Sequence, residues 1–346
     1  MTSCELPRIS ITDPGDLIET VPYLLGFHPE ESLVLIGFAN TAMTGPQRIQ
    51  VTMRVDLVRS FDAELLQPLT DALQRSESAA MAAVLVTDQV AGDPRRAPEL
   101  MACRDMLAAT MNEVGIDVLD VLVASDSHWW SLCCEQLECC PSEGRPRVRG
   151  SSAAAAQATF AGLVALPDRP AMAATLAGRP AAQRSRLQAP LAEVVREIAE
   201  LPADHAANRR RAEVAQLLAA ARRHATDAEL TDDAELADEQ LSRHAVALTD
   251  LGVRDALWLA IDDGSVDACR LMNELHSRLP PPYDAAPMFL FGWAQWRTGN
   301  GTLAMMAAER VLESQPGYSA AMLLFTAVQR GLDPRTVPAL SNTGAP

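Results

Sequence analysis

The first half of this chain is organised around one segment, Pro22-Tyr23-Leu24-Leu25-Gly26-Phe27-His28-Pro29-Glu30-Glu31-Ser32-Leu33-Val34-Leu35-Ile36-Gly37-Phe38. Shortly before it, Asp13 and Pro14 are typical of a helix N-cap and of the first helical position. Gly26 can end that helix in left-handed backbone. Leu33–Phe38 is an apolar run long enough to form a buried strand. We therefore predict a short helix that turns directly into a buried first strand.

The segments that follow alternate between strand and helix patterns. After a polar loop over Asn40–Gln47, Ile49–Leu57 alternates apolar and polar residues, which predicts a strand that forms a hairpin with the first. Leucines at helical spacing precede Met81–Val86, and a predicted helix over 97–114 precedes Val118–Val123. Strands that alternate with helices build parallel sheets through right-handed crossovers. We therefore expect an α/β domain with a mixed, mostly parallel sheet that begins with a hairpin.

The composition is that of an ordinary globular protein. The 346 residues are 48% hydrophobic and 21% charged, and the net charge of −16 comes from 45 acidic residues against 29 basic ones, all of them arginine. An acidic chain repels phosphate backbones, so general nucleic-acid binding is not expected. No apolar run has the length of a membrane span, and no secretory signal is evident. We therefore expect a cytoplasmic protein whose cysteines are thiols.

The second half changes character, because every predicted element in it is a helix. Proline- and glycine-containing segments predict a linker over 166–180, between an α/β domain over 1–165 and an all-α domain over 181–335. Residues 336–346 are predicted to be a disordered tail. Small residues such as Gly292 lie at offsets that are typical of a tetratricopeptide-like repeat. Its aromatic residues indicate a packed core or, alternatively, an apolar groove for a protein partner.

A loop after the last predicted strand holds four of the seven cysteines. Cys134, Cys139 and Cys140 supply three thiols within seven residues, and His128 or Cys133 could act as a fourth ligand. Structural zinc is held by four thiolates or imidazoles, usually in two closely spaced pairs. The adjacent Cys139-Cys140 pair is unfavourable for that geometry, and no distant CxxC completes the set. The loop nevertheless makes zinc the candidate cofactor.

Two other interpretations of the cysteine loop remain open. A disulfide between Cys134 and either Cys139 or Cys140 would act as a redox element in a reducing compartment. Alternatively, the cysteines are small buried side chains beneath the neighbouring tryptophans, since free cysteine is among the most buried residue types. We favour this last interpretation from the sequence alone.

Polar residues also follow the predicted parallel strands at their carboxyl ends, where ligands collect in open α/β sheets. Asp88 and Asp126 follow two of these strands, and Arg54 lies near the end of another. Two carboxylates could hold a hard cation or position a water molecule, and His28 could act as a general base in the same crevice. Acidic residues after strands also commonly cap the next helix or lie in turns. No phosphate-binding loop, GxSxG elbow or HExxH motif is present.

Two sequence motifs lie near the two ends of the predicted first domain. The first is Pro22–Phe27 with Pro29 and Ser32–Val34, and the second is Trp129–Ser131 with Cys134, Cys139–Pro141, Glu143 and Gly144. Together they resemble the bacterial family catalogued as domain of unknown function 4192. The resemblance implies a fold shared across both halves and a cytoplasmic setting, and it implies no activity. The chain departs from the family pattern at His128, where an arginine is expected, and at Cys133, an additional thiol.

Two classes of function follow from these features. The first is a non-catalytic interaction or ligand-binding protein that pairs an α/β domain with a helical module, through which it contacts a protein partner. The alternative is an enzyme or small-ligand sensor that uses the acidic residues at the sheet edge, with or without a metal ion. The lack of a nucleophile–base or phosphate-loop signature favours the first class.

Overall fold

The computed structural model describes residues 9–39, 48–57, 63–90, 92–202, 205–226 and 236–340. The chain divides into a first unit, which runs through Met172 and includes Arg330–Asp333, and a second unit, which holds Ala173–Gln329 and the residues from Pro334. The predicted loop over 40–47 and residues 341–346 of the predicted tail lie outside the described residues. No described helix is both long enough and apolar enough to cross a membrane.

Strands and helices alternate in the first unit as the sequence predicts. Its described strands are β1 (Ser32–Phe38), β2 (Ile49–Asp56), β3 (Ala80–Val86), β4 (Asp117–Ala124), β5 (His128–Ser131) and β6 (Arg145–Pro146). Its helices are α1 (Pro14–Leu25), α2 (Ala63–Arg75), α3 (Pro98–Glu113) and α4 (Ala153–Phe160), and α5 (Arg169–Thr175) contains the boundary between the units. The local signals around α1 are confirmed, because Asp13 accepts a hydrogen bond from the backbone N–H of Asp16 and Gly26 has a φ of +82°.

The sheet is mixed but mostly antiparallel, so the prediction of a mostly parallel sheet is wrong. The strand order is β2-β1-β3-β4-β5-β6, and among the described strands only β3 and β4 pair in parallel. β1 lies between β2 and β3 and is antiparallel to both. All seven residues of β1 are buried. A strand this apolar is best placed inside the sheet, where neighbours on both sides satisfy its backbone groups.

The strands β2, β3 and β4 nevertheless run in the same direction. β1 is antiparallel to β2 and to β3, and β3 is parallel to β4, so the carboxyl ends of all three lie at one edge. Along that edge Ser32 pairs with Asp56 on one side and with Val86 on the other, and Val86 pairs with Ala124. The polar residues that follow these strands therefore begin from a common edge.

One hydrophobic cluster joins the sheet to α2 and α3. It includes residues from β1, β3 and β4, from both helices, and from the start of the cysteine loop, among them Leu33, Leu85, Leu73, Leu107, Trp130 and Leu132. Complete burial of a leucine-sized side chain contributes about 2 kcal/mol. The cysteine loop is thus anchored in the main core of the first unit.

The described part of the second unit is helical. Its helices are α6 (Ala181–Arg184), α7 (Gln188–Ala199), α8 (Ala206–Thr226), α9 (Asp238–Ala247), α10 (Leu251–Asp262), α11 (Cys269–Arg278), α12 (Ala285–Arg297), α13 (Gly301–Ser314) and α14 (Ser319–Gln329). A Cβ atom at Gly292 would lie 2.8 Å from that of Ala307, which agrees with the small residue predicted at a close helix crossing. The side chain of Asp262 accepts a 2.6 Å hydrogen bond from the N–H of Leu340. Leu340, within the predicted tail, is therefore attached to α10.

Candidate metal centre

Three cysteine sulfurs converge in the loop that follows β5. The Sγ atoms of Cys134, Cys139 and Cys140 all lie within 4.8 Å of one another. Sulfurs that bind one tetrahedral zinc ion at about 2.3 Å are about 3.8 Å apart. The observed spacing is therefore close to that of a ligand set. The adjacent Cys139 and Cys140 both contribute, because the carbonyl of Gln136 accepts hydrogen bonds from both of their N–H groups in a tight turn.

The cysteines of the loop differ in exposure. Cys140 is buried, Cys134 is half-buried, and Cys139 and Cys133 are exposed. The interpretation of the cysteines as small buried side chains therefore holds for Cys140 and is wrong for Cys139 and Cys133. A cluster with one buried and two accessible sulfurs can be reached from solvent while it stays attached to the core.

Arginine side chains hold the backbone of the loop. Arg95 donates from Nη1 to the carbonyl oxygens of Cys134 and Cys140, at 3.1 and 3.0 Å. Arg145 donates from Nε to the carbonyl oxygen of Cys139, at 2.6 Å. Asp93 fixes the Arg95 guanidinium through hydrogen bonds of 2.9 and 3.0 Å. The hydrogen bonds that Arg95 donates to Asp93 raise the pKa of the Arg95 guanidinium. The backbone of all three ligand candidates is thus held by positively charged groups.

Ser131, at the end of β5, starts the loop and directs Cys133 away from the cluster. Its Oγ accepts hydrogen bonds of 3.1 Å from the N–H groups of Cys133 and Cys134, and it donates to Asp120 at 2.7 Å. The thiol of Cys133 also hydrogen-bonds Asp120. Burial raises the pKa of the Asp120 carboxyl, and these hydrogen bonds oppose that shift. Cys133 is therefore engaged with Asp120 rather than with the other sulfurs.

The far end of the loop packs against a tryptophan. Trp130 donates from Nε1 to the carbonyl oxygen of Ser142 at 3.2 Å. Gly144 has a φ of +83°, and a Cβ atom there would lie 2.4 Å from the Trp130 ring. Only glycine therefore allows the chain to pass so close to the ring in this conformation.

The surroundings shift the pKa values of two of the thiols in opposite directions. The backbone N–H of Gln136 donates to the sulfur of Cys134 and lowers the pKa of that thiol, with smaller contributions from the neighbouring thiols. Burial raises the pKa of Cys140 to about 12, and its hydrogen bond to Cys134 acts in the same direction. Of these two thiols, Cys134 is therefore the more acidic.

His128, predicted as a fourth ligand, stands apart from the three sulfurs. It begins β5, whereas the cysteines follow the end of that strand, and the strand alone separates His128 from Ser131 by about 10 Å. Its Nδ1 lies 2.9 Å from the Oγ of Ser127, and its ring is 6.0 Å from that of Trp130. In the part of the chain that the structure describes, no histidine, carboxylate or further cysteine joins the cluster.

The predicted residues of the sheet edge are only partly brought together. The backbone N–H of Asp126 donates to Oδ1 of Asp88 at 2.8 Å, and the Asp126 carboxylate pairs with Arg149. Arg54 lies further along the edge, where its Nη1 is 2.6 Å from Asp56. Asp88 and Asp126 therefore meet, but through a backbone hydrogen bond rather than as two free carboxylates.

His28 lines a separate cavity, to which Arg149, the partner of Asp126, also contributes. Arg147 lines this small cavity as well. Burial lowers the pKa of His28, and the charges of both arginines add to that shift. The neighbouring Arg147 forms a buried ion pair of 2.7 Å with Glu19. These surroundings thus disfavour the protonated form of His28, and the cavity that His28 lines is not the one that Asp88 lines.

An open cleft of about 300 Å³ lies beside the cysteine loop. It is lined by Asp88, Val90, Gly92, Ser125, Ser127, His128, Trp130 and Glu143. Of the four residues predicted for a ligand site at the edge, only Asp88 lines this cleft. Glu143 comes from the cysteine loop, so the loop forms one of the walls.

The sequence does not predict which residues support the loop. Asp93, Arg95 and Asp120 all lie well upstream, and nothing in their spacing connects them to the cysteines. A local signal was available only for Asp93, because Asp93-Pro94 is typical of an N-cap followed by a first helical position. The structure shows that cap, in which Oδ1 of Asp93 accepts a 3.1 Å hydrogen bond from the N–H of Arg95.

Comparison with known proteins gives one match. The family model described as "Domain of unknown function (DUF4192)" matches residues 14–335, which is most of the chain. No curated protein and no solved structure matches it. The resemblance predicted from the two sequence motifs is confirmed.

We expect Gly144→Ala to loosen the cysteine loop. Left-handed backbone costs a non-glycine residue about 1 kcal/mol, and the contact with Trp130 adds about 2 kcal/mol. Hydrogen–deuterium exchange of the peptides that cover residues 129–146 should therefore become faster by about tenfold or more.

Gly150→Ala is the matched control for this change. Gly150 has a similar φ of +70°, but nothing lies within 4 Å of its added Cβ. We expect Gly150→Ala to cost only the strain of a non-glycine residue in left-handed backbone, about 1 kcal/mol. Equal acceleration of exchange in both variants would show that the contact with Trp130 does not constrain the loop.

Proposed function

Since the chain belongs to the DUF4192 family, a family of unknown function, we propose its role from the site itself: it is a non-catalytic protein whose cysteine loop binds one zinc ion. Cys134, Cys139 and Cys140 are the proposed ligands. The observation that carries this proposal is the convergence of their sulfurs within 4.8 Å on a loop whose backbone is already held. Thiolates are ligands that suit Zn²⁺ and other soft or borderline cations.

The charges around the loop support thiolate ligands. A divalent cation bound by three thiolates leaves one uncompensated negative charge, in a chain whose net charge is −16. Arg95 and Arg145 donate to the carbonyl oxygens of the cysteines, and Arg104 donates to that of Leu132 at 3.1 Å. These guanidinium groups supply local positive charge without competing with the metal, because arginine has no lone pair to offer as a ligand.

The preorganised backbone supports the proposal in a second way. Metal binding usually has to order its ligands, and this ordering subtracts from the affinity. Here Arg95 and its partner Asp93 hold the loop through contacts that do not involve the metal. The three sulfurs are therefore close together before a cation arrives.

The helical second unit is the proposed contact for a protein partner. The exposed side chains of Met322 and Leu323 lie next to each other on α14, the last helix described. These two side chains are the exposed apolar groups on this helix that a partner could cover. This part of the proposal pairs a metal-binding α/β unit with a helical interaction module.

A second candidate function is supported by the cleft beside the loop. Asp88, His128 and Glu143 line it together with the indole of Trp130. Carboxylates, an imidazole and an aromatic ring in one cleft of about 300 Å³ suit a small polar ligand, or a reaction that uses acid–base catalysis. The candidate is a small-ligand sensor or an enzyme.

The metal proposal predicts one zinc ion per chain. Protein purified with a phosphine reductant and reconstituted with Zn²⁺ should retain about one equivalent after desalting, measured by inductively coupled plasma mass spectrometry. Cys134→Ala and Cys140→Ala should lose most of it. Cys133→Ala is the matched control, since this neighbouring thiol is engaged with Asp120, and it should retain the wild-type amount. Retention below about one zinc per ten reconstituted wild-type chains would contradict the proposal.

The affinity for zinc should fall as the pH is lowered. A thiol must lose its proton to bind the metal, and the pKa of Cys140 is raised to about 12, so protons compete with zinc throughout the neutral range. Between pH 8 and pH 6 we expect the affinity to drop about tenfold or more per pH unit. Competition with a chelator of known pH dependence measures this slope. An affinity that does not change with pH would exclude thiolate ligands.

The second candidate is distinguished by thermal shifts against nucleotides, Mg²⁺ and small polar metabolites. If the protein is non-catalytic and uses only the cysteine site, none of these should change the melting temperature. A stabilisation that saturates with ligand and disappears in Asp88→Ala would favour the cleft. Asp56→Ala is the control, because Asp56 lies on the same edge but outside the cleft.

A further inference from the structure

We propose that a metal ion held by the three cysteines keeps a fourth coordination position open to solvent, and that this position takes an exogenous thiolate. The inference rests on the proposed function, because it concerns the same site. Zinc sites with four protein ligands are closed, whereas sites with three leave one position for water or another ligand. Within the residues that the structure describes, Cys134, Cys139 and Cys140 form the complete group.

Among the described residues, no carboxylate, histidine or further cysteine places a ligand atom with the three sulfurs. Cys133 is engaged with Asp120, and His128 lies at the opposite end of β5. Cys103 is buried in the hydrophobic cluster of the first unit. Cys4 lies outside the described residues and is therefore addressed in the experiment.

The accessible sulfurs place the open position toward solvent. Cys140 is buried beneath the loop, whereas Cys134 is half-buried and Cys139 is exposed. A metal ion bound by all three is therefore covered on the side of Cys140 and can be approached from the side of Cys139. Leu137 lies between two of the ligands along the chain and is 65% exposed, so the loop also presents an apolar side chain to solvent.

The chemistry of the site favours a thiol as the added ligand. A cation that already has three thiolate ligands is a soft centre, and soft centres prefer a further sulfur over a carboxylate. The exposed Glu135 and Glu138 of the loop also repel carboxylates, which are charged before they bind. A small thiol arrives neutral. Its sulfur then displaces the bound water and its proton goes to solvent, so no oxidation or reduction is involved.

The surrounding arginines compensate the charge of this exchange. Binding of a thiolate in place of water adds one negative charge to the metal centre. Arg95 and Arg145 are the guanidinium groups that contact the backbone of the three cysteines. Their positive charge opposes the repulsion between four thiolates, and it does so at short range, where screening by salt is weak.

Cobalt spectroscopy tests the inference directly. The full chain is loaded with Co²⁺ under argon. A phosphine serves as the reductant, so that the buffer contains no thiol, and the protein is then titrated with 2-mercaptoethanol. We expect the sulfur-to-cobalt charge-transfer absorption to rise by about one third and to saturate, because the number of cobalt–sulfur bonds increases from three to four. Ethylene glycol, which replaces the thiol with a hydroxyl, should cause no change. Cys4→Ser and Cys133→Ser should respond as the wild type does.

The possible outcomes separate this inference from the proposed function. If cobalt binds but 2-mercaptoethanol has no effect or removes the metal, the site takes no exogenous thiolate and the inference fails, while the metal proposal stands. If the absorption before addition already corresponds to four thiolates and decreases in Cys4→Ser or Cys133→Ser, the site is closed and the inference fails in the same way. If neither Co²⁺ nor Zn²⁺ binds, both proposals fail.

Discussion

The first unit depends on one constraint: β1 is fully buried and must pair with a neighbouring strand along both of its edges. All seven of its residues are buried, and each backbone N–H and C=O in such a strand needs a partner, because an unpaired buried group costs about as much as a lost hydrogen bond. β2 and β3 supply these partners, both antiparallel to β1. The chain then has to cross β1 to pass from β2 to β3. As a result β2, β3 and β4 share a direction, and β5 is added beyond β4, where the cysteine loop starts.

The backbone carbonyl groups of the cysteine loop also need hydrogen-bond donors, and arginine side chains supply them. Its carbonyl groups lie outside the sheet ladder, so guanidinium groups serve as donors in place of a neighbouring strand. Arg95 satisfies two of these carbonyls and is itself held by Asp93, with both side chains largely buried. A buried ion pair contributes little net stability, and its clearest effect is to define position. Because the arginines bind carbonyl oxygens, the sulfur lone pairs of the cysteines stay free for other chemistry.

Local features of this fold were predictable, and non-local ones were not. The Asp13 cap, the left-handed Gly26 and the apolar run of β1 depend on neighbours in sequence, so their patterns predict them. The place of β1 within the sheet does not follow from periodicity, because the same alternation of strands and helices fits either a parallel or an antiparallel neighbour. His128 is close to the cysteines in sequence, but the extended backbone of β5 separates it from them in space. The contacts of Arg95 with the loop span 39 and 45 residues, beyond any local pattern.

The convergence of the three sulfurs and the shifted pKa values of two of the thiols favour metal binding over a redox role for the loop. Burial raises the pKa of Cys140 to about 12, which disfavours its thiolate. Structural zinc binds thiolate sites with about 10–16 kcal/mol, so a metal ion can overcome this cost. A redox reaction at neutral pH has no such driving force, because a buried protonated thiol is a poor nucleophile. A redox role would therefore have to use Cys134 and Cys139, and it would leave Cys140 without a purpose. The proposed metal site would use all three sulfurs, the buried one together with the two accessible ones.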